Sequence, residues 1–303
     1  MTKQKGWQMH NNSSKTYSEI LEYCFEVKQS KNVSISRSQI DHLLSEILKI
    51  DKLKLLLNPE IKISFLKKKE FLKKFFLLIN NKPVSRILGK REFFSKEYLI
   101  NKYTLDPRQD TELLVEVVLT LSKKLKKKKN LAILELGSGS GCVLSSIASE
   151  LKKLRNDFIV IGVDICENAN KLARKNLINH RVSSNTKILK SNWFSNINER
   201  FDIIYANPPY VRLQDISDLG AELNYDPKIA LNGGKDGLFC YKQISKKLLS
   251  FLLPNGYFCT EIGFNQGLEV KKIFESISLN LYGSYNDLGK RERCLVFHKK
   301  KKV

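Results

Sequence analysis

Histidine and paired cysteine are scarce in this 303-residue chain, which argues against the commonest metal sites. Four histidines are scattered without ligand spacing, and six cysteines (24, 142, 166, 240, 259 and 294) form no C-x-x-C pair. The cysteines sit mostly inside apolar runs, the pattern of buried, reduced thiols in a cytoplasmic protein. No metal is expected. Long hydrophobic runs are missing as well: stretches such as FFLLI at 75–79 are far too short to cross a bilayer, so no membrane role is read. Residues 1–18 lack both Arg and an apolar stretch followed by a cleavage site. About the first fifteen residues are read as a disordered tail.

Acidic side chains fall well short of basic ones, 31 against 53, for a net charge of +22. Such an excess suits a phosphate-rich partner such as RNA. About four-fifths of the basic residues are Lys, however, and the runs at 67–69, 126–129 and 299–302 carry little of the interleaved aromatic character that base stacking uses. Nucleic-acid contact is allowed by this surface and not required by it. The hydrophobic content of 42% is enough for a real core.

Two regimes of patterning divide the chain. Residues 16–80 read as helices: SRSQIDHLLSEILKI (36–50) has a Ser cap and apolar residues at Ile40, Leu43, Leu44, Ile47 and Leu48, and a second long helix is expected near 60–80, ended by NNKP. Residues 1–85 are thus a helical module, and 86–106 read as a hairpin linking it to the larger C-terminal part of the chain. From 107 to 303 strands and helices alternate. Strands are expected at 131–136, 158–163, 186–190, 201–206 and 256–262, with a last pair near 280–298. Helices are expected at 110–127, from about 142, at 168–179, 236–252 and 264–277. That order predicts an α/β class, a doubly wound and mostly parallel seven-stranded sheet of about 200 residues behind a small all-helical domain.

The first of those strands runs into ELGSGSG, residues 135–141. Glycines at 137, 139 and 141, with Ser138 and Ser140 between them, let the backbone turn sharply and approach a ligand closely. The spacing is G-x-G-x-G, with Cys142 where a dinucleotide fingerprint needs its third Gly. Glu135, just before the loop, would be unwelcome beside a pyrophosphate and welcome beside an ammonium or sulfonium group. Asp164 ends the next strand, 23 positions after Gly141, where a carboxylate can accept from ribose hydroxyls. Trp193, after the third strand, is placed to cover an adenine.

YANPPYV, residues 205–211, closes a strand that two consecutive prolines cannot continue. Asn207, Pro208, Pro209 and Tyr210 therefore sit on a stiff backbone at a strand's carboxyl end, where ligands bind in open α/β sheets. If the Gly loop holds S-adenosylmethionine, the acceptor implied is a planar NH2 group. Asn207 Oδ1 and the Pro208 carbonyl would accept its two hydrogens, and Tyr210 would pack on its flat face. This is positioning and electrostatic preorganisation, without a strong base.

NPPY and ELGSGSG together resemble the class I methyltransferases that act on planar nitrogens. GKREFFS (89–95), PRQDTELLVE (107–116), ALNGGKDGL (230–238), EIGFNQG (261–267) and DLGKRER (287–293) narrow this, being similar to the peptide chain release factor N5-glutamine methyltransferases over about residues 36–298. The resemblance implies methylation of the glutamine in the Gly-Gly-Gln motif of class I release factors, by a monomer acting in the cytoplasm with S-adenosyl-L-methionine. It assigns Gly137 to Gly141, Asp164, Trp193 and Asn207 to the cofactor, and Asn207 to Tyr210 to the glutamine, with the helical module recognising the substrate. Asp106 and Gln109 stand where the family usually has an apolar residue and a second proline, beside Leu105, a candidate wall of the glutamine pocket. The runner-up is a nucleic-acid exocyclic-amine N-methyltransferase, although only about 90 residues come after Tyr210 and the sheet uses them. A non-enzymatic RNA-binding protein on the same scaffold is the third reading, and the intact glycines, Asp164 and Asn207 argue against it.

Overall fold

The computed structural model describes residues 15–299, so the expected N-terminal tail lies outside the described residues. Contacts divide the chain after Leu88 into two compact units. The first contains β1 (Lys15–Thr16), α1 (Tyr17–Lys31), α2 (Arg37–Leu48), α3 (Lys52–Leu57), β2 (Lys62–Ile63), α4 (Phe65–Ile79) and α5 (Val84–Leu88). Reciprocal capping boxes start two of these helices, Thr16 with Glu19 and Ser36 with Gln39. Along α2 the residues expected to face a core do so: Ile40, Leu43, Leu44 and Ile47 are buried, and Phe71, Phe75 and Leu78 of α4 meet them in one cluster. The unit departs from an all-helical module by one short antiparallel pair, β1 with β2. The helix expected from about 60 begins only at Phe65, where Ser64 caps it.

The second unit opens with a hairpin, β3 (Lys90–Phe93) and β4 (Lys96–Leu99). Phe94 and Ser95 both take left-handed φ, 48° and 57°, the two-residue turn that matches strand twist. The hairpin is narrower than the expected 86–106 and serves as part of this unit rather than as a free linker. Its upstream residues finish α5, and Gly89, at φ 74°, separates the two elements. Asn176 fastens the downstream end, accepting from Leu99 N–H at 2.9 Å and donating to the carbonyls of Leu99 and Ser140 at 3.0 and 2.8 Å.

Beyond it run α6 (Glu112–Lys124), β5 (Leu131–Leu136), α7 (Cys142–Lys152), β6 (Phe158–Asp164), α8 (Glu167–Asn179), β7 (Thr186–Lys190), β8 (Phe201–Ala206), α9 (Phe239–Phe251), β9 (Leu252–Glu261), α10 (Gly267–Glu275), β10 (Asn280–Asn286) and β11 (Glu292–His298). The seven strands order as β10-β11-β9-β8-β5-β6-β7. All neighbours are parallel except those involving β11. This is the doubly wound sheet expected from the alternation. Helices α6, α7 and α8 bury one face with Val118, Leu144 and Leu177, while α9 and α10 bury the other with Ile244, Leu248, Val270 and Phe274. Covered on both sides, β8 is buried at every position. Strand order reverses direction between β5 and β8, the crevice where open sheets bind ligands.

Three helices of this unit start later than their patterning suggests, α6 behind a 3-10 turn at Gln109–Thr111. Residues 233–237 form a close turn before α9, and Gln266 spends its side chain on Gly263 N–H before α10 begins.

Candidate active site

At the carboxyl end of β5 the chain turns back on itself, and Gly137 and Ser138 both donate to the Val163 carbonyl, at 2.8 and 2.9 Å. Gly137, Gly139 and Gly141 hold φ of 78°, 52° and 74°, a left-handed backbone that other residues adopt at a cost. Asp164 ties this loop to the start of α8: Oδ2 accepts from Gly139 N–H at 2.9 Å and Oδ1 from Cys166 N–H at 2.8 Å. Burial pushes the Asp164 carboxyl up, against the pull of those backbone donors. Each oxygen keeps a further lone pair for a ligand hydroxyl. Glu135 is 4% exposed, with Oε2 lacking any hydrogen-bond partner, and burial followed by the nearby Asp164 pushes its carboxyl well up.

A cavity of about 600 Å³ opens here, lined from the ends of β5, β6, β7 and β8. Glu135, Gly137, Ser138, Gly139, Ser140, Asp164, Trp193, Asn207 and Pro209 all line it, as do Leu105, Arg108 and Thr111 from the segment before α6. Gly141 stands behind the lining as the N-cap of α7. Pro208 is buried, and neither it nor Tyr210 is part of the wall.

NPPY is held from beneath by segments far away in sequence. Val211 N–H donates to the Leu231 carbonyl at 3.0 Å and Gly233 N–H to the Val211 carbonyl at 2.8 Å. Gln266 Nε2 reaches the carbonyls of Tyr210 and Gly237, at 3.1 and 3.3 Å. A Cβ on Gly233 would lie 2.8 Å from the Tyr210 backbone, which cannot yield without moving the whole NPPY turn. Gly233→Ala is therefore expected to cut turnover by about 10-fold or more. Cofactor affinity, measured by calorimetry, should hold to within about twofold.

Asn207 Nδ2 donates to Thr111 Oγ1 at 3.1 Å, and the Tyr210 hydroxyl donates to Glu261 Oε1 at 3.4 Å. Glu261, at the end of β9, is 3% exposed, and burial pushes its carboxyl up to about 7 although Thr111 and Arg293 favour its charge. Arg293 in turn pairs with Asp287 at 3.0 Å and Asp110 at 3.2 Å. Thr111, Glu261, Gln266 and Arg293 all fall within the stretches that carry the family resemblance, yet the sequence alone gives none of them a role. Their strand-end and loop positions are the signal that could have found them.

The loop that carries the departures at 106 and 109 is held from a distance by Asp226. Asp106 N–H donates to Asp226 Oδ1 at 3.1 Å, and the Arg108 guanidinium pairs with Asp226 Oδ2. Asp226 thus holds the backbone on one side of Pro107 and the Arg108 side chain on the other, and Leu105 keeps its place in the cavity wall.

Comparison with known proteins agrees with this geometry. A family model described as the methyltransferase small domain matches residues 109–234. A release factor glutamine methyltransferase of Agrobacterium fabrum is 40% identical over 219 residues, 72% of this chain and 74% of that protein. The chain belongs to the release factor glutamine methyltransferase family. A second member, from Buchnera aphidicola, is 33% identical over 90% of this chain and 96% of its own length. The chain also matches a bifunctional methyltransferase of Rickettsia typhi, of which it spans 44%. Among solved structures, the hMettl16 catalytic domain in complex with MAT2A 3′UTR hairpin 6 shares the fold, with a TM-score of 0.55 at 16% identity over 73% of this chain and 82% of that one.

The residues present fit the cofactor of this family, S-adenosyl-L-methionine. Glu135 offers a buried, unpartnered carboxylate oxygen to a cationic group, Asp164 has spare lone pairs for ribose hydroxyls, and Trp193 presents a ring at the cavity wall. Among the described residues no cluster is suited to a metal ion. No described helix is long and apolar enough to cross a membrane.

Proposed function

We propose that this enzyme methylates the side-chain amide nitrogen of the glutamine in the Gly-Gly-Gln motif of class I peptide chain release factors. The observation that carries the reading is the fixed Asn207 amide: with Nδ2 engaged by Thr111, Oδ1 is left for the cavity. A glutamine amide nitrogen is a poor nucleophile because its lone pair is delocalised into the carbonyl. Asn207 Oδ1, at the cavity wall, would accept one of its hydrogens and the Pro208 carbonyl, just behind that wall, the other, favouring pyramidal geometry at nitrogen as the new bond forms. S-adenosyl-L-methionine supplies an electrophilic methyl group on a sulfonium. Glu135, Asp164 and Trp193 bind and orient it, and the proton shed by nitrogen passes to solvent without a strong base. Tyr210, anchored at Glu261, supports the turn that carries both acceptors.

We assign residues 1–85 to recognition of the protein substrate and residues 107–303 to catalysis, in a monomer working in the cytoplasm. The test offers purified enzyme and labelled S-adenosyl-L-methionine a release factor, total tRNA and duplex DNA in parallel. The nucleic acids are included because of the net charge of +22. Label is expected on the release factor alone, and a chain beginning at Gly89 should bind cofactor yet lose most of that activity. Label on tRNA or DNA, with none on the protein, would overturn the reading.

A further inference from the structure

We propose that Gln266 is a positioning residue for methyl transfer, its side-chain amide fixing the far end of the NPPY turn and so aiming Asn207 Oδ1 and the Pro208 carbonyl. The inference rests on the function proposed above. The turn is a short bridge with few free torsions. Its near end leaves β8 at Ala206, buried in the sheet, and the prolines at 208 and 209 fix their own φ. What could still turn is the peptide that follows Tyr210. Val211 N–H donates to the Leu231 carbonyl at 3.0 Å, and Gln266 Nε2 donates to the Tyr210 carbonyl at 3.1 Å. Both polar groups of that one peptide are thereby held, from two different loops. Among the described residues no backbone N–H donates to the Tyr210 carbonyl, so this half of the hold falls to the Gln266 side chain.

The amide itself has one possible orientation. Nε2 gives its second hydrogen to the Gly237 carbonyl at 3.3 Å, and Oε1 accepts from Gly263 N–H at 3.0 Å. Flipped, it would set NH2 against that N–H and an oxygen against two carbonyls. Its backbone is fixed too, the N–H donating to the Gly263 carbonyl at 2.9 Å and the carbonyl accepting from Val270 N–H at 3.0 Å. Glycines make room for the seat. A Cβ on Gly237 would lie 2.5 Å from Nε2 and 2.6 Å from the Tyr210 carbonyl oxygen, and one on Gly263 would lie 2.7 Å from Oε1. Three loops can therefore close on one amide. Neither Gln266 nor the groups it bonds belong to the cavity wall, so its influence on the reaction passes through NPPY. Without its two donors, the peptide after Tyr210 keeps only the Val211 bond and can rotate about it. The acceptors upstream then drift, and a misplacement of about 1 Å at reacting groups costs on the order of 10²-fold in rate.

The test uses full-length enzyme and two variants that keep the side chain's bulk. Gln266→Glu retains an acceptor for Gly263 N–H but, ionised at neutral pH, has no hydrogen to give. Gln266→Met fills the space without polar atoms and adds no charge, so it serves if the glutamate variant does not fold. In both, kcat for methyl transfer to a release factor should fall by about 10- to 10²-fold. KM for the release factor and Kd for S-adenosyl-L-methionine should stay within about twofold, because the cavity wall is untouched. A side chain that merely fills space would give the opposite pattern, with melting temperature lowered and kcat kept. A Gln266→Met kcat within about threefold of the parent, or a loss carried by KM or Kd instead, would overturn the proposal. The second readout needs no substrate. In Gln266→Met the carbonyl-carbon resonance of Tyr210 should shift, and so should the side-chain amide resonances of Asn207, assigned by their loss in Asn207→Asp. If both move but the parent methylates no release factor, the substrate is wrong and the positioning role stands. Asn207 resonances that stay put would confine Gln266 to its own loop and sink the role whatever the substrate.

Discussion

Asn207→Ala should slow methyl transfer by about 10²–10³-fold, the usual cost of removing one preorganised hydrogen-bonding partner from a dry site. The substitution takes away Oδ1, the proposed acceptor for one amide hydrogen, and leaves Thr111 Oγ1 without its donor at 3.1 Å. The Pro208 carbonyl alone cannot fix the plane of the substrate amide, since one hydrogen bond leaves a rotation about its own axis. Asn207→Asp keeps an oxygen toward the cavity and should retain more activity than the alanine variant. It also brings a second carboxylate toward Thr111 and the buried Glu261, so it should remain below the parent. Asn207 is only half-buried at the mouth of the sheet, and thermal stability should stay within roughly 1 kcal/mol in both variants. Single-turnover transfer with saturating cofactor and release factor is the measurement. An alanine enzyme within about threefold of the parent would remove Asn207 from the acceptor site, and with it the planar-amine reading of NPPY.

Much of the scaffold was legible because its signals are local. Strands 131–136, 186–190 and 201–206 stand where alternation and β-branched residues put them, since a buried parallel strand is a short apolar run bounded by turn residues. The left-handed glycines of 137–141 and the double proline of 208–209 likewise announce their backbone without help from the rest of the chain. What stayed hidden depends on the sheet closing. Thr111 reaches Asn207 across 96 positions, Glu261 reaches Tyr210 across 51, and Gln266 reaches the Tyr210 carbonyl across 56. No periodicity records such pairings. Short 3-10 turns at Leu213–Asp218, Ala221–Tyr225 and Lys228–Ala230 were invisible for the opposite reason, having no buried residue to mark a face. Gln109 shows how a missing family proline can be made good from elsewhere in the chain. A proline stiffens a loop through its own ring, and here Asp226 stiffens the same loop from 120 positions away.

Asp164→Ala is expected to weaken cofactor binding by about 2–4 kcal/mol, or roughly 30- to 1000-fold in Kd. Two losses combine. The ribose hydroxyls would lose their charged acceptor, and the glycine loop would lose the bond from Gly139 N–H to Oδ2 that holds it against the end of β6. Asp164→Asn separates the two. Oδ1 and Oδ2 each accept a backbone N–H, from Cys166 and Gly139, so an amide placed there must set its own NH2 against one of them. The asparagine variant should therefore resemble the alanine one rather than the parent, and both should lose about 1 kcal/mol of stability in the absence of cofactor, the net worth of a part-buried hydrogen bond. Protonation is a milder form of the same change. Because burial raises the Asp164 carboxyl, affinity should begin to fall at a higher pH on acidification than an ordinary aspartate would require. Calorimetry of S-adenosyl-L-methionine binding, with thermal melts of the unliganded proteins, checks each part. If Asp164→Asn bound the cofactor as the parent does, the carboxylate would have no part in holding it. Its two backbone bonds would then be an Asx turn at the start of α8 and nothing more.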